Sequence, residues 1–345
     1  MMAKGRGGLE NAALDAFEAL TRSGCVVTTV LRSGAEMQKK FPSEASILPL
    51  STLGAWDPTE GFRLWQLVKH IPFDVVLAHG NRAAKLARSL RSRGPLVLVC
   101  HTTNYSATRM IDHIDGAIVL TNHYHEVMVR AGCSPEKVKL VPNAIRLGPE
   151  PKEAQERTVP LVGGLGRLVP NKGFDILLQA LGRLKLRGIR FECIIHGVDE
   201  RGSTSDFEAL RSQAGLSPDD VAFPGWTTSP HDFLRSLDIF AMPSRREVLS
   251  IALLEALEAG RPIVCARVPG LEDVFTDGGE GFFVDIGDVG GLEVALEKLL
   301  LDASLRSTMG KAARERARRF EIGTVGVEMR EALQSLAATA ARSRA

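Results

Sequence analysis

Residues 166–173 have the types and spacing of a loop that binds an anion. They read G-R-L-V-P-N-K-G and lie between an apolar strand pattern and a helix pattern that begins near Phe174. The N–H groups and partial positive charge of a helix start attract anions, and Arg167 and Lys172 add a planar fork and a point charge. The P-loop spacing is absent, and Val169 stands where the dinucleotide pattern needs a third glycine, which argues against ATP hydrolysis and NAD binding. We predict a diphosphate site; an ordinary surface loop with two solvated cations is the alternative.

A second segment, residues 243–264, places two carboxylates around a helix start. Ser250 is the expected N-cap residue, and Gly260 ends the helix. Glu247 therefore lies in the loop before the helix, and Glu255 lies inside it. Carboxylates on either side of backbone N–H groups suit a ligand with an anionic centre and hydroxyl groups at both ends. A nucleoside diphosphate sugar has this shape.

Two histidines follow apolar strand patterns in the first half of the chain. His101 follows residues 96–100, and His79 follows residues 74–78. Sites of α/β proteins form at the C-terminal ends of parallel strands, so both are candidates, although a lone histidine is more often structural. The three histidines between residues 113 and 125 lack the spacing of metal ligands, and we predict no metal site.

These candidates lie in a chain where short apolar runs alternate with helix patterns, as in parallel sheets covered by helices. The alternation pauses in the polar residues 148–157, which predicts two α/β domains over residues 1–148 and 149–320. A strand should precede Gly7, but only six residues stand there, so we expect a truncated first strand. The strand predictions are residues 26–31, 74–78, 96–100, 116–120, 137–141, 159–166, 191–197, 221–223, 239–242, 262–266 and 281–284.

Composition is that of an ordinary globular protein, with 44% hydrophobic and 24% charged residues. We expect no membrane-spanning segment, because no apolar run approaches the roughly 18 residues that spanning requires. The five cysteines are dispersed without a C-x-x-C pair, which favours a reducing cytoplasm with neither disulfides nor zinc.

Residues 81–94 are basic without a single acid, and they predict an amphipathic helix. A solvated helix face is one interpretation; contact with an anionic membrane surface or an acidic acceptor is the other. Nucleic acid is disfavoured, because aromatic residues do not interleave with the charge. The residues that would make the membrane contact are Arg82, Lys85, Arg88 and Arg91.

Taken together, G-R-L-x-x-x-K-G at residues 166–173 and E-x7-E at residues 247–255 resemble the large retaining glycosyltransferase family 4. The resemblance extends over nearly the whole chain, through Gly7-Gly8-Leu9-Glu10, His101-Thr102-Thr103, Val141-Pro142-Asn143 and Pro269-Gly270-Leu271-Glu272-Asp273. It implies the GT-B fold, in which two Rossmann-like domains with parallel sheets face each other across a cleft. It also implies that a helix over residues 321–345 crosses back to the first domain.

The resemblance also implies roles for the candidate residues. Arg167 and Lys172 would bind the donor diphosphate, Glu255 the ribose hydroxyls, and Glu247 a hydroxyl of the transferred sugar. His101 would lie near the reacting sugar carbon, with His79 on the acceptor side. The other donor-side residues are Gly8, Gly197, Thr227 and the backbone amides of Val248, Leu249 and Ser250. The chain departs from the family at Asn143-Ala144-Ile145-Arg146, where Asn-Gly-Val-Asp is usual.

The expected activity is therefore retaining, metal-independent transfer of a sugar, with a UDP- or GDP-sugar as donor and no further cofactor. The acceptor would be a glycan or glycolipid, with lipopolysaccharide core preferred because of the basic segment. A sugar-nucleotide epimerase and a non-catalytic sugar-nucleotide-binding subunit are the alternatives. The expected location is the cytoplasm, at the inner face of the cytoplasmic membrane.

Overall fold

The computed structural model describes residues 7–51, 59–101, 111–150, 157–198 and 204–344. The described strands are β1 Thr28–Arg32, β2 Ser46–Leu50, β3 Val76–His79, β4 Leu96–Val99, β5 Gly116–Val119, β6 Val138–Leu140, β7 Leu161–Leu165, β8 Glu192–His196, β9 Val221–Gly225, β10 Ile239–Met242, β11 Ile263–Ala266 and β12 Gly281–Val284. The described helices are α1 Gly8–Arg22, α2 Glu60–Val68, α3 Asn81–Ala87, α4 Asn122–Arg130, α5 Phe174–Leu186, α6 Thr204–Gln213, α7 Pro230–Ser236, α8 Ile251–Glu258, α9 Val289–Leu301, α10 Ala303–Ala317 and α11 Ile322–Arg344.

The chain divides into two compact units. Unit 1 contains residues 1–146 and 320–345, and unit 2 contains residues 147–319. Helix α11 therefore belongs to unit 1, where it packs along α1. The two helices approach closely at Gly326, because a Cβ there would come within 2.2 Å of the Ala19 carbonyl oxygen.

Unit 1 contains two parallel sheets in its described part. Strands β3, β4, β5 and β6 form one sheet in that order, and β1 pairs with β2 in the other. Every residue of β4 and β5 is buried, as expected of parallel strands covered on both faces. The truncated strand that we predict before Gly7 falls on residues 1–6, outside the described residues.

Unit 2 contains a parallel sheet in the strand order β12-β11-β10-β7-β8-β9 within the described residues. Helix α5 covers it with an apolar face, since Leu177, Leu181 and Leu184 recur at helical spacing and are fully buried. Burial of each such leucine contributes roughly 1.5–3 kcal/mol to folding. Strands β7 and β10 are neighbours, so the loops that follow them meet at one edge of the sheet.

The basic segment does not form the single amphipathic helix that we predicted. Helix α3 ends at Ala87, a 3-10 turn covers Arg88–Leu90, and Arg91 follows outside both. The predicted basic face is present over residues 82–90, because Ala83, Ala84, Ala87 and Leu90 are buried while the basic residues of this stretch are exposed. Arg91 departs from this face and bonds to Asp115.

None of the described helices combines the length and the apolar character that crossing a bilayer requires.

Candidate functional site

The loops after β7 and β10 bring Lys172 and Glu247 into direct contact. Lys172 Nζ donates a hydrogen bond to Glu247 Oε1 at 2.5 Å, and the Ser244 hydroxyl donates to the same oxygen at 2.9 Å. The side chains of Lys172 and Glu247 are only 18% and 12% exposed. Two of the residues predicted to bind donor thus form one fixed cluster at the C-terminal edge of the sheet.

Arg245 and Asn171 hold these two loops together. The Arg245 backbone N–H donates to the Asn171 carbonyl oxygen at 2.8 Å, and Asn171 Nδ2 donates to the Arg246 carbonyl oxygen at 2.9 Å. The Arg245 guanidinium binds both carboxylate oxygens of Asp175 at 2.7 and 2.6 Å, and these bonds raise the pKa of Arg245. The sequence analysis missed this clamp, although Asp175 lies in the first turn of α5 and Arg245 inside the second motif.

Gly173 allows the loops to come this close. It is the N-cap residue of α5 and adopts the left-handed conformation, with φ +69°. A Cβ at this position would lie 1.9 Å from the Pro243 carbonyl oxygen. Only glycine meets both requirements without displacing a loop.

Gly197 lies at a second close approach. A Cβ there would lie 1.9 Å from the Gly166 carbonyl oxygen, and its N–H donates to the Gly225 carbonyl oxygen at 3.0 Å. Gly197 thus ties the end of β8 to the start of the 166–173 loop and to the end of β9. Thr227, two residues beyond β9, accepts a hydrogen bond at Oγ1 from the Ser229 N–H at 3.1 Å.

Helix α8 begins beside the cluster. Ser250 is its N-cap residue, as predicted, but within the described structure the Ser250 hydroxyl makes no capping bond. The side chains of Val248 and Leu249 are buried, which fixes the backbone that leads into the helix. Glu255 lies in the second turn of α8 and is half-buried, whereas Arg167 is exposed.

The predicted site residues of unit 1 include a pair of hydrogen-bonded histidines. His79 follows the buried Ala78 at the end of β3, and His101 follows β4, which places the Nδ1 of His79 2.9 Å from the Nε2 of His101. The rings stack with centroids 5.2 Å apart. Burial lowers the pKa of His101 to about 4, and burial together with the His101 ring lowers that of His79 well below its ordinary value. Both rings are therefore neutral at pH 7, so one nitrogen of the pair donates and the other accepts.

Gly8 begins helix α1, and a Cβ added there would meet no neighbouring atom. The turn before it is closed by Glu10, whose carboxylate accepts the Gly7 N–H at 3.0 Å. Gly8 and the two histidines belong to unit 1, whereas the other predicted donor residues belong to unit 2.

Three of the four residues predicted to contact a membrane are exposed. Arg82 lies 3.4 Å from Glu60, whereas Lys85 and Arg88 have no described ion pair.

Among the described residues, no group of three histidine, cysteine or acidic side chains could hold a metal ion. The five cysteines are free thiols.

Two family models match the chain, one on each half. The model described as Glycosyltransferase Family 4 matches residues 6–148, and that described as Glycosyl transferases group 1 matches residues 150–316. Two relatives come from Rhizobium meliloti (strain 1021). The lipopolysaccharide core biosynthesis glycosyltransferase LpsE is 35% identical over 156 residues, which are 45% of this chain and 44% of LpsE. The lipopolysaccharide core biosynthesis glycosyltransferase LpsD is 25% identical over 333 residues, which are 90% of each chain.

The solved structure of Anabaena Alr3699/HepE in complex with UDP-glucose has the same fold. It superposes with a TM-score of 0.84 at 20% identity and covers 97% of this chain and 98% of HepE. The GT-B fold predicted from the sequence is thereby confirmed. Because the models of the two domains together account for nearly the whole chain, the protein belongs to the group 1 glycosyltransferases of family 4.

Proposed function

We propose that the protein transfers a sugar from a nucleoside diphosphate sugar to a hydroxyl group of a cell-envelope glycan or glycolipid, with retained anomeric configuration and without a metal ion. The observation that carries the proposal is the contact between Lys172 and Glu247. It places a cation that can bind a phosphate group beside a carboxylate that can accept hydrogen bonds from sugar hydroxyls. The names of LpsE and LpsD favour lipopolysaccharide core as the acceptor. The UDP-glucose complex of HepE favours a UDP-sugar as donor.

The donor diphosphate would bind to Lys172 and Arg167. An ammonium group has three N–H donors, so Lys172 can keep its bond to Glu247 while it donates to a phosphate oxygen. Lys172 and Ser244 hold one oxygen of Glu247, and the carboxylate fixed in this way would accept a hydrogen bond from a hydroxyl of the transferred sugar. The amides of Val248, Leu249 and Ser250 at the start of α8 would face the sugar and the phosphates.

The remaining predicted residues would complete the site. Glu255 would accept the ribose hydroxyls, and the small Gly197 with Thr227 would border the base, with Gly8 contributed by unit 1. His101 would hydrogen-bond near the reacting carbon as a neutral ring, and His79 would border the acceptor. In this proposal residues 149–320 bind the donor and residues 1–148 the acceptor.

The chemistry follows from these placements. As the bond between the anomeric carbon and the phosphate oxygen breaks, negative charge grows on the leaving diphosphate, and Lys172, Arg167 and the start of α8 stabilise it. The acceptor oxygen bonds to the anomeric carbon on the same face, and its proton passes to the leaving phosphate oxygen. Glu247 positions the sugar and forms no bond to carbon.

A peripheral contact with the inner face of the cytoplasmic membrane would bring a lipid-linked acceptor to unit 1. Arg82, Lys85 and Arg88 are exposed and would make it, whereas Arg91 contributes less because it bonds to Asp115. Reversal of the three exposed charges to glutamate should abolish co-sedimentation with anionic vesicles. Undiminished co-sedimentation would contradict the contact.

Nucleotide binding tests the donor site first. We expect one of UDP, GDP and ADP, or its sugar, to stabilise the wild type, since a ligand at a hundred times Kd adds about 2.7 kcal/mol. Lys172→Ala and Glu255→Ala should lose this stabilisation, whereas Lys311→Ala, which changes an exposed lysine of unit 2, should keep it. If no nucleotide stabilises the wild type, or if all three variants respond equally, the proposed site is wrong.

Transfer is then followed by NMR of the anomeric signal with and without a chelator. A retained configuration that survives chelation supports the proposal, and an inverted product or a metal requirement contradicts it. Donor binding without turnover on any acceptor would indicate a non-catalytic subunit. Inversion at a ring carbon of the donor would indicate an epimerase.

A further inference from the structure

A cleft of about 580 Å³ lies at the edge of the unit 1 sheet where β4 and β5 begin. The predicted reacting residues His79 and His101 lie at the opposite edge, where β3 and β4 end. The cleft is therefore separate from the histidine pair. Its polar lining consists of Arg91, Ser92, Asp115, Lys137, Ser343 and Arg344.

Asp115 organises the cations of this cleft. Its carboxylate accepts hydrogen bonds from Arg91 Nε and Nη2, each to Oδ1 at 3.1 Å, and from Arg344 Nη2 at 3.0 Å. The Leu96 N–H adds a bond at 2.8 Å. Burial raises the pKa of Asp115, but the hydrogen bonds from Arg91 and Leu96 outweigh it and lower the pKa below its ordinary value. Asp115 thus stays ionised and holds two guanidinium groups side by side.

Lys137 adds a third positively charged side chain to the lining of the cleft. It ends a turn just before β6 and is half-buried in the cleft wall. Among the described residues, its ammonium group has no hydrogen-bond or ion-pair partner. The described lining contains three cations, Arg91, Arg344 and Lys137, and one carboxylate, Asp115, which bonds to the two arginines. Cations whose N–H donors are oriented by a neighbouring carboxylate attract a multiply charged anion.

We propose that this cleft binds a phosphate group, with Lys137 and the outer N–H groups of Arg91 and Arg344 as donors. The two guanidinium groups held by Asp115 and the ammonium group of Lys137 offer N–H donors that suit the oxygens of a phosphate ester. The same chemistry occurs in a soluble phosphate ester and in the headgroup of an anionic lipid. The cleft shares no lining residue with the proposed donor site.

Two binding measurements test the site and show whether its phosphate group comes from a soluble ester or from a lipid headgroup. Both use the full chain with Lys172→Ala, so that the proposed donor site does not take up the probe. Inorganic phosphate is titrated and followed by its phosphorus NMR line width. Separately, the protein with Arg82, Lys85 and Arg88 also changed to alanine, so that the proposed membrane contact does not bind, is sedimented with vesicles of phosphatidylglycerol and phosphatidylcholine in equal parts, and with vesicles of phosphatidylcholine alone.

The decisive variant is Lys137→Ala, and Lys69→Ala is its matched control, because Lys69 is an exposed lysine of the same unit outside the cleft. Lys137→Ala removes no described bond, so its thermal midpoint should stay unchanged. We expect Lys137→Ala to weaken binding on the order of tenfold, as the loss of one charge-assisted contact predicts, while Lys69→Ala has no effect.

The selective loss of phosphate binding would identify a soluble phosphate ester as the ligand class. The selective loss of binding to the anionic vesicles alone would identify a lipid headgroup. The inference is overturned if neither probe binds, or if Lys69→Ala weakens binding as much as Lys137→Ala.

Discussion

At Gly173 a single added methyl group would separate the two loops of the proposed donor site. The Cβ of Gly173→Ala would lie 1.9 Å from the Pro243 carbonyl oxygen, against an ordinary contact of 3.4 Å, so one loop must move by about 1.5 Å. Alanine at φ +69° adds a strain of roughly 1–2 kcal/mol. Displacement of positioned groups by about 1 Å can cost on the order of a hundredfold in rate. We therefore expect transfer to fall about a hundredfold, because Lys172 and Glu247 are pulled apart.

The control for this variant lies at the other end of the same helix. Gly188 also has a positive φ, +78°, but a Cβ there meets no atom within 4 Å. Gly188→Ala thus carries the backbone strain of Gly173→Ala without the collision. Calorimetric titration with the cognate nucleotide and the initial rate of transfer should both separate the two variants. Equal activity in the two variants would show that the close approach at Pro243 does not position the site.

Three further outcomes follow from other contacts. Glu258→Gln should cost about 3–5 kcal/mol in urea unfolding, because it breaks a buried charge cluster in which two arginines bond to this carboxylate. Burial raises the pKa of Glu258, but its hydrogen bonds lower it below the ordinary 4.5, so wild-type stability should fall as the pH drops below that value, and less so in the variant. Arg245→Lys lacks the two nitrogens that bind the two oxygens of Asp175, and it should weaken nucleotide binding by a few-fold in titration calorimetry; an unchanged affinity would show that the clamp is dispensable. Burial lowers the pKa of His101 to about 4, so unfolding takes up a proton between about pH 6.5 and 4. As the pH falls through this range, the urea midpoint should therefore decline more steeply in the wild type than in His101→Asn, where only His79 of the pair remains to contribute.

The sequence by itself determined the class of fold and most of unit 2. Strands β10 and β12 match the predictions over residues 239–242 and 281–284 residue for residue, because their apolar runs are bounded by strong breakers. Helix α8 begins after Ser250 and ends two residues before Gly260, close to the bounds that capping preferences indicate. These features depend on residues that are close together along the chain, so the sequence alone is enough to predict them.

Elements with weak local patterns were missed. Strand β2 contains a proline, and helix α4 buries only Met128, so neither shows a clear period. The pattern of the basic segment favoured one helix, whereas the structure has a helix followed by a 3-10 turn, with Arg91 bonded to Asp115 24 residues away. Tertiary bonds of this kind outweigh local propensity, which amounts to less than about 1 kcal/mol per residue.

The site itself was decided by strand order. Lys172 and Glu247 are 75 residues apart and meet because β7 and β10 are neighbours in the sheet. His79 and His101 meet for the same reason at the ends of β3 and β4. The motifs identify which residues bind and react, but they carry no information on which loops lie side by side. That arrangement depends on how the helices cover the parallel sheet, so only the folded chain shows the clamp between Arg245 and Asp175 or the cations around Asp115.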